Sequence, residues 1–173
     1  MIVSAEVEAE FTAFVAARSP ALMRLAYLLA GDRQHGEDLL QQALTKVFLN
    51  WRRIREPQAA EAYARTTLTT TAVSWRRRRW HGERPTEELP ERLAGDQTSG
   101  VDERLRVWHA IAALPSSQRA VIVLRYYEDL SEAEIAAVMK ISPGTVKSQA
   151  SRALRALRSE LGPTTLFEVE DAS

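Results

Sequence analysis

The run GERPTEELPERLAGDQTSG, residues 82–100, holds two prolines, three glycines and few large apolar side chains. It buries too little surface to offset the entropy of ordering it. It divides the 173-residue chain into two short halves, each able to form only a small domain with a modest core. Neither half has the alternating β-branched runs of a strand, whereas apolar residues recur at helical spacing in both. The expected fold class is all-α, two small helical domains joined by a flexible acidic linker. The expected boundaries are 1–81, a linker over 82–101, a second domain over 102–161 and an acidic tail over 162–173.

Several function classes drop out. There is no cysteine, hence no disulfide and no thiolate metal site. The N-terminus is acidic and no apolar run reaches the length of a membrane span, so no signal peptide or membrane insertion is expected and the chain reads as soluble and cytoplasmic. His35, His81 and His109 stand in unrelated segments without metal-ligand spacing, and there is no glycine-rich phosphate loop or serine with a partnered base. No metal, no cofactor and no catalytic activity is expected.

Formal net charge is zero, but the charges are segregated. Between Trp51 and Trp80 lie Arg52, Arg53, Arg55, Arg65 and Arg76 to Arg79 against only Glu56 and Glu61. From His81 to Glu103 the balance reverses, with Glu83, Glu87, Glu88, Glu91, Asp96, Asp102 and Glu103 against Arg84 and Arg92. A basic block therefore meets an acidic one, and distribution rather than total charge bears on partners.

In the first half, helices are expected over Phe11–Arg18, Pro20–Ala30, from about Glu37 and from about Ala59 to Trp80. On the helix near Glu37, Leu40, Ala43, Leu44, Val47 and Trp51 make a core stripe. Leu39 and Leu49 fall off that stripe with Gln42 and Lys46, where a lone small domain places polar groups, so a partner surface is expected there.

The second half opens with a helix over Asp102–Leu114, broken at Pro115 and resumed at Ser116 as a cap, with Val121 and Leu124 inward. Ser131 and Glu134 then form a capping box before Ile135, Ala136 and Met139. After a turn at Lys140 and Ile141, Ser142 is an N-cap and Pro143 the first helical residue. Two capped helices across so short a turn make a helix-turn-helix. On the second, Val146, Ala150, Ala153, Leu154, Leu157 and Leu161 gather on one side, with Lys147, Ser148, Ser151, Arg152, Arg155 and Arg158 opposite. Such a face can read base edges and neutralise phosphates. The alternative is an amphipathic helix with a merely solvated polar face. Against it stands the absence of any acid among those basic residues, since solvated faces usually mix signs.

The run LPSSQRAVIVLRYYEDLSEAEIAAVMKISPGTVKSQASRALRALR resembles region four of extracytoplasmic-function sigma factors, with their leucine-proline, glutamine-arginine pair, S..EIA and GTVKS...RA. GEDLLQQALTKVFLNW is similar to region two point two, and AYARTTLTTTAVSWRRRRW to regions two point three and two point four, most of all in the actinobacterial sigma-E-like branch. The resemblance implies an RNA polymerase subunit that recognises the minus-35 promoter element through Thr145, Lys147, Ser148, Ser151, Arg152 and Arg155. It implies binding and melting of the minus-10 element through Thr70, Trp75, Arg76, Arg77, Arg78, Arg79 and Trp80. Asp38, Leu39, Gln42, Lys46 and Leu49 fall where the family binds the polymerase clamp. The implied partners are the clamp and flap of core RNA polymerase, promoter DNA and, in many members, an anti-sigma factor.

A basic track with aromatic side chains suits opened DNA. Trp75 either stacks on a base or packs against the bundle, and both readings stand at this point. Two departures are specific. Threonines 69 to 71 occupy the base-capture loop where the family often has asparagine, so Thr70 offers one hydroxyl in place of a separate donor and acceptor. The common DLVQE reads Asp38, Leu39, Leu40, Gln41, Gln42, one carboxylate fewer. The rival is a dimeric helix-turn-helix regulator, which would bind palindromic operators without polymerase.

Overall fold

The computed structural model of the chain describes residues 5–54, 57–80 and 99–162, with backbone alone at 57, 76–80 and 99–102. Among the described residues there are seven α-helices and no strand, in the order α1 (Ala5–Ala30), α2 (Arg33–Asn50), α3 (Pro57–Trp80), α4 (Ser99–Ala113), α5 (Ser116–Tyr126), α6 (Glu132–Met139) and α7 (Pro143–Leu161). The chain separates into two compact units between Trp75 and Arg76. The all-α, two-part organisation is as expected, while α4 starts at Ser99, inside the segment assigned to the linker.

In the first unit α1 is a single helix across the expected break at Pro20. Proline removes one intrahelical hydrogen bond, to the carbonyl of Ala16. Pro20 and Ala16 both lie on the exposed side, so that carbonyl faces solvent rather than the core. The helix is long and apolar enough to cross a membrane by length and composition. Its Phe14, Leu22, Leu25, Ala26 and Leu29 are buried in the bundle. Phe11, Phe14, Phe48 and Trp51 add an aromatic cluster with ring centroids 4.9–6.4 Å apart.

The start of α2 lies ahead of Glu37, at Arg33, because Gly31 takes φ 89° and Asp32 caps the helix. The Asp32 carboxylate accepts from the His35 backbone N–H at 2.9 Å and lies 2.6 Å from His35 Nδ1. One turn later α2 crosses α1 at Gly36. A methyl group there would sit 2.2 Å from Tyr27 Cδ1 and 3.2 Å from Tyr27 Cα. The crossing admits hydrogen and nothing larger.

Leu39 corrects the sequence reading: it is fully buried, at 0% exposure, rather than displayed with Leu49. At about 100° per residue it lies only just outside the Leu40–Ala43–Val47 stripe, toward Gln42 and Lys46. That flank is joined to α3 by side-chain hydrogen bonds, so the buried arc of α2 is wider than one stripe. Burying a leucine contributes about 1.5–3 kcal/mol.

In the second unit α7 packs against α4, α5 and α6. Ala110, Leu114, Ile122, Ala153, Leu157 and Leu161 form one core cluster, with Val107, Ile111, Tyr126 and Leu154 against it. Val121 and Leu124 are fully buried, as expected. Ser116 does not cap α5: the N-cap position is Pro115, without a side-chain bond. Arg119 ties this corner instead, donating through Nη1 to the carbonyls of Ala112 (2.8 Å) and Leu114 (3.1 Å).

Gly36→Ala is expected to lower stability by about 1–3 kcal/mol, overpacking exceeding the gain in helix propensity. Urea unfolding of the full chain measures it; unchanged or raised stability would show that α1 and α2 can separate freely.

Candidate nucleic-acid interface

The helix-turn-helix is fixed by local chemistry at three consecutive points. The Ser131 hydroxyl accepts from Glu134 N–H at 3.3 Å, and Glu134 Oε2 accepts from Ser131 N–H at 2.8 Å, completing the capping box of α6. Lys140 ends α6 in the left-handed conformation, φ 54° and ψ 46°. Ile141 N–H then bonds to the Ala136 carbonyl at 3.1 Å, the six-to-one bond of a Schellman turn. Ser142 caps α7, accepting from Thr145 N–H at 3.1 Å, and Pro143 follows at the first helical position. All three ends were expected from the sequence.

These ends set the rotation of α7. Val146, Ala150, Ala153, Leu157 and Leu161 are buried, and Leu154 is partly so. Lys147, Ser148, Ser151, Arg152 and Arg155 are exposed together on the opposite side, with Thr145 half-buried at their N-terminal end. The Ser148 hydroxyl donates to the Thr145 carbonyl at 3.0 Å, which leaves its lone pairs outward. Among the described residues Lys147, Arg152, Arg155 and Arg158 make no ion pair, so their charges are available to phosphates.

The first unit presents a different surface. Asp38, Gln42 and Lys46 are exposed along α2, and Leu49 is 75% exposed, the largest exposure of any large apolar side chain described. Leu39 is absent from that surface, being in the core. On α3, Thr70 stands in the middle of the helix rather than in a loop. It is exposed, and its hydroxyl donates to the Thr66 carbonyl at 2.9 Å, so its outward character is that of an acceptor. Thr69 and Thr71 are buried. Trp75 is half-buried and its indole N–H donates to Gln42 Oε1 at 3.0 Å, which holds one edge of the ring against α2. α3 continues as helix through Trp80, and the side chains of Arg76, Arg77, Arg78, Arg79 and Trp80 lie outside the described residues.

Residues 14–82 match the family description "Sigma-70 region 2" and residues 104–157 match "Sigma-70, region 4". The RNA polymerase sigma-E factor of Streptomyces coelicolor is 40% identical over 152 residues, spanning 88% of this chain and 86% of that protein. The chain belongs to the sigma-70 family. Within that family it is an extracytoplasmic-function sigma factor: a relative of that class, SigL of Mycobacterium tuberculosis, is 34% identical over 151 residues, 83% of this chain and 85% of its own length. The sigma factor RpoE of Bartonella quintana, solved with the anti-sigma factor NepR, matches the fold with a TM-score of 0.59 at 23% identity, covering 90% of this chain and 98% of that one. Sigma factors are not catalytic enzymes.

The sequence of this sigma factor does not single out Arg119, which holds the α4–α5 corner, Asp32, which caps α2, or the bond between Gln42 and Trp75. The glycine-aspartate pair before α2 was the available signal for the second. The other two depend on which helices become neighbours.

Hydrogen bonds from the Ser131 hydroxyl and backbone hold the Glu134 carboxyl below the usual carboxylate range. A depressed folded-state pKa contributes stability that is present above the unfolded pKa and lost as pH falls through the folded one. The α6 cap is therefore expected to loosen only in acid, and Glu134→Gln to flatten that part of the pH–stability profile. Arg119→Ala is expected to lower stability by about 1–3 kcal/mol, measured by denaturant unfolding; no loss would mean that the α4–α5 corner holds without it.

Proposed function

We propose that this sigma factor binds core RNA polymerase and directs it to promoters whose minus-35 element is read by α7 and whose minus-10 element is melted by α3. The observation that carries this reading is the order of the two sigma regions on two helical units of one chain. A dimeric operator-binding regulator has no use for the first of them. As units of function we assign residues 1–81 to clamp and minus-10 binding, 82–101 to the connection, 102–161 to minus-35 binding and 162–173 to the tail.

Thr145, Lys147, Ser148, Ser151, Arg152 and Arg155 are our assignment for the minus-35 element. Residues nearest the N-terminus of a recognition helix enter the groove deepest, so Thr145, Lys147, Ser148, Ser151 and Arg152 carry sequence preference and Arg155 meets phosphate. Arg76 to Arg79 serve opened DNA as phosphate contacts, with Trp80 as a stacking platform and Thr70 as an acceptor toward a base. Four consecutive arginines encircle a helix, so only some of them meet one strand. Asp38 and Leu49 make the polymerase-facing surface, with Gln42 and Lys46 beside them. An anti-sigma factor covering these surfaces, of the kind bound to RpoE, is a compatible partner. On this reading the chain has no catalytic role of its own and acts in the cytoplasm, with the polymerase.

The test is transcription in vitro from fragmented genomic DNA with bacterial core polymerase. Adding the chain is expected to give start sites that share two upstream elements. Tight binding of palindromic duplex DNA by the chain alone, without association with core, would overturn the reading. Arg152→Ala is expected to cost about 1–3 kcal/mol of discrimination at the upstream element, and Arg78→Ala to weaken binding uniformly across sequences. Equal loss of sequence preference in both would reassign the contacts.

A further inference from the structure

Gln42 and Lys46 lie on the exposed side of α2, yet their polar ends reach across the bundle. Gln42 Oε1 accepts the Trp75 indole N–H at 3.0 Å, and Lys46 Nζ donates to Thr71 Oγ1 at 2.9 Å. Gln42 and Lys46 are one turn apart on α2, and Thr71 and Trp75 one turn apart on α3. The pairs run in opposite directions, 42 with 75 and 46 with 71, so the bonds are two rungs between antiparallel helices. One rung sets a distance. Two rungs add to the buried Ala60, Ala64, Leu68 and Val73 in restraining the rotation of α3 about its axis and its slide along α2.

The threonines nearby do not duplicate this restraint. Thr66, Thr69 and Thr70 donate to carbonyls of α3 itself, which ties them to their own helix. Thr71 and Trp75 lie at the end of the part of α3 that belongs to the first unit, one and five residues after the exposed Thr70.

We propose that Gln42 and Lys46 are positioning residues for promoter opening: through Trp75 and Thr71 they hold the face of α3 that displays Thr70 in place relative to α2. The inference rests on the sigma-factor reading above. It gives the two residues a role inside the protein, distinct from direct contact with polymerase. The helix that displays Leu49 and the stretch of α3 that displays Thr70 thereby turn as one body.

The test uses the full chain, core polymerase and a promoter fragment. Gln42→Leu removes the acceptor at an exposed position, and Gln42→Glu keeps it. In a proton–nitrogen spectrum, the indole signal that is missing in Trp75→Phe is expected to shift in Gln42→Leu and exchange with solvent about three- to tenfold faster. In Gln42→Glu it stays protected. Open-complex formation by Gln42→Leu, read with core polymerase saturated by the chain, is expected to fall about three- to tenfold, with Gln42→Glu recovering it. Joining Gln42→Leu to Trp75→Phe is expected to add no further loss, because both remove the same bond. An opening defect that disappears once core polymerase is saturated would make Gln42 a polymerase contact alone and overturn the proposal. Additive losses in the double variant, or equal defects in the leucine and glutamate variants, would do the same. A wild-type chain that never initiates with core would overturn the underlying reading instead, and the indole signal tells the two failures apart.

Discussion

The first unit depends on how closely α1 and α2 can approach. At Gly36 the separation is set by the absence of a side chain, with Tyr27 occupying the space that a β-carbon would take. Interiors this dense do not deform smoothly, so the contact fixes the rotation of α2 as well as its distance. That rotation places Leu40, Ala43 and Val47 inward and Asp38 and Leu49 outward. It also brings Gln42 and Lys46 to the flank that meets α3. An exposed face, a core and a cross-link to a third helix therefore share one helix and one crossing.

The second unit is ordered by a different means. α6 is only eight residues long, too short to persist on its own. Caps and turn geometry specify where it begins and ends, and packing against α7 keeps it. The non-glycine residue Lys140 holds the left-handed turn position, at some conformational cost offset by the bonds on either side. The exposed face of α7 is thus positioned by polar chemistry at helix ends as much as by the apolar core beneath it.

Features decided within a few residues were legible in the sequence. Ser131 with Glu134, and Ser142 with Pro143, are cap signatures whose meaning does not depend on the rest of the fold, and the amphipathic split of α7 follows from its spacing alone. Features decided by neighbours were not. Leu39 sits at the edge of a helical stripe, and only the presence of α3 makes that edge interior. The resemblance puts Thr70 in a loop, whereas α3 is continuous there despite its weak helix formers, with Thr67, Leu68, Thr69, Thr71 and Val73 buried in the bundle. Trp75 has two readings in the sequence, and in the structure its ring is half-buried with the indole N–H bonded to Gln42. Pro20 is a related case: the sequence marks it as a break, and α1 runs through it with Pro20 and Ala16 on the exposed side.

The acid-free face of α7 also sets how this unit responds to salt. Lys147, Arg152, Arg155 and Arg158 have no intramolecular counter-charges among the described residues, so in the free protein mobile anions screen them. Each DNA phosphate that such a cation neutralises releases about 0.9 of a condensed counterion. Four contacts would give a logarithmic salt slope no steeper than about −4. The apolar contact available at Leu49 carries no such dependence. Rising ionic strength would loosen the grip of α7 on DNA well before it disturbed apolar docking at α2, so the two surfaces answer to different properties of the same solution.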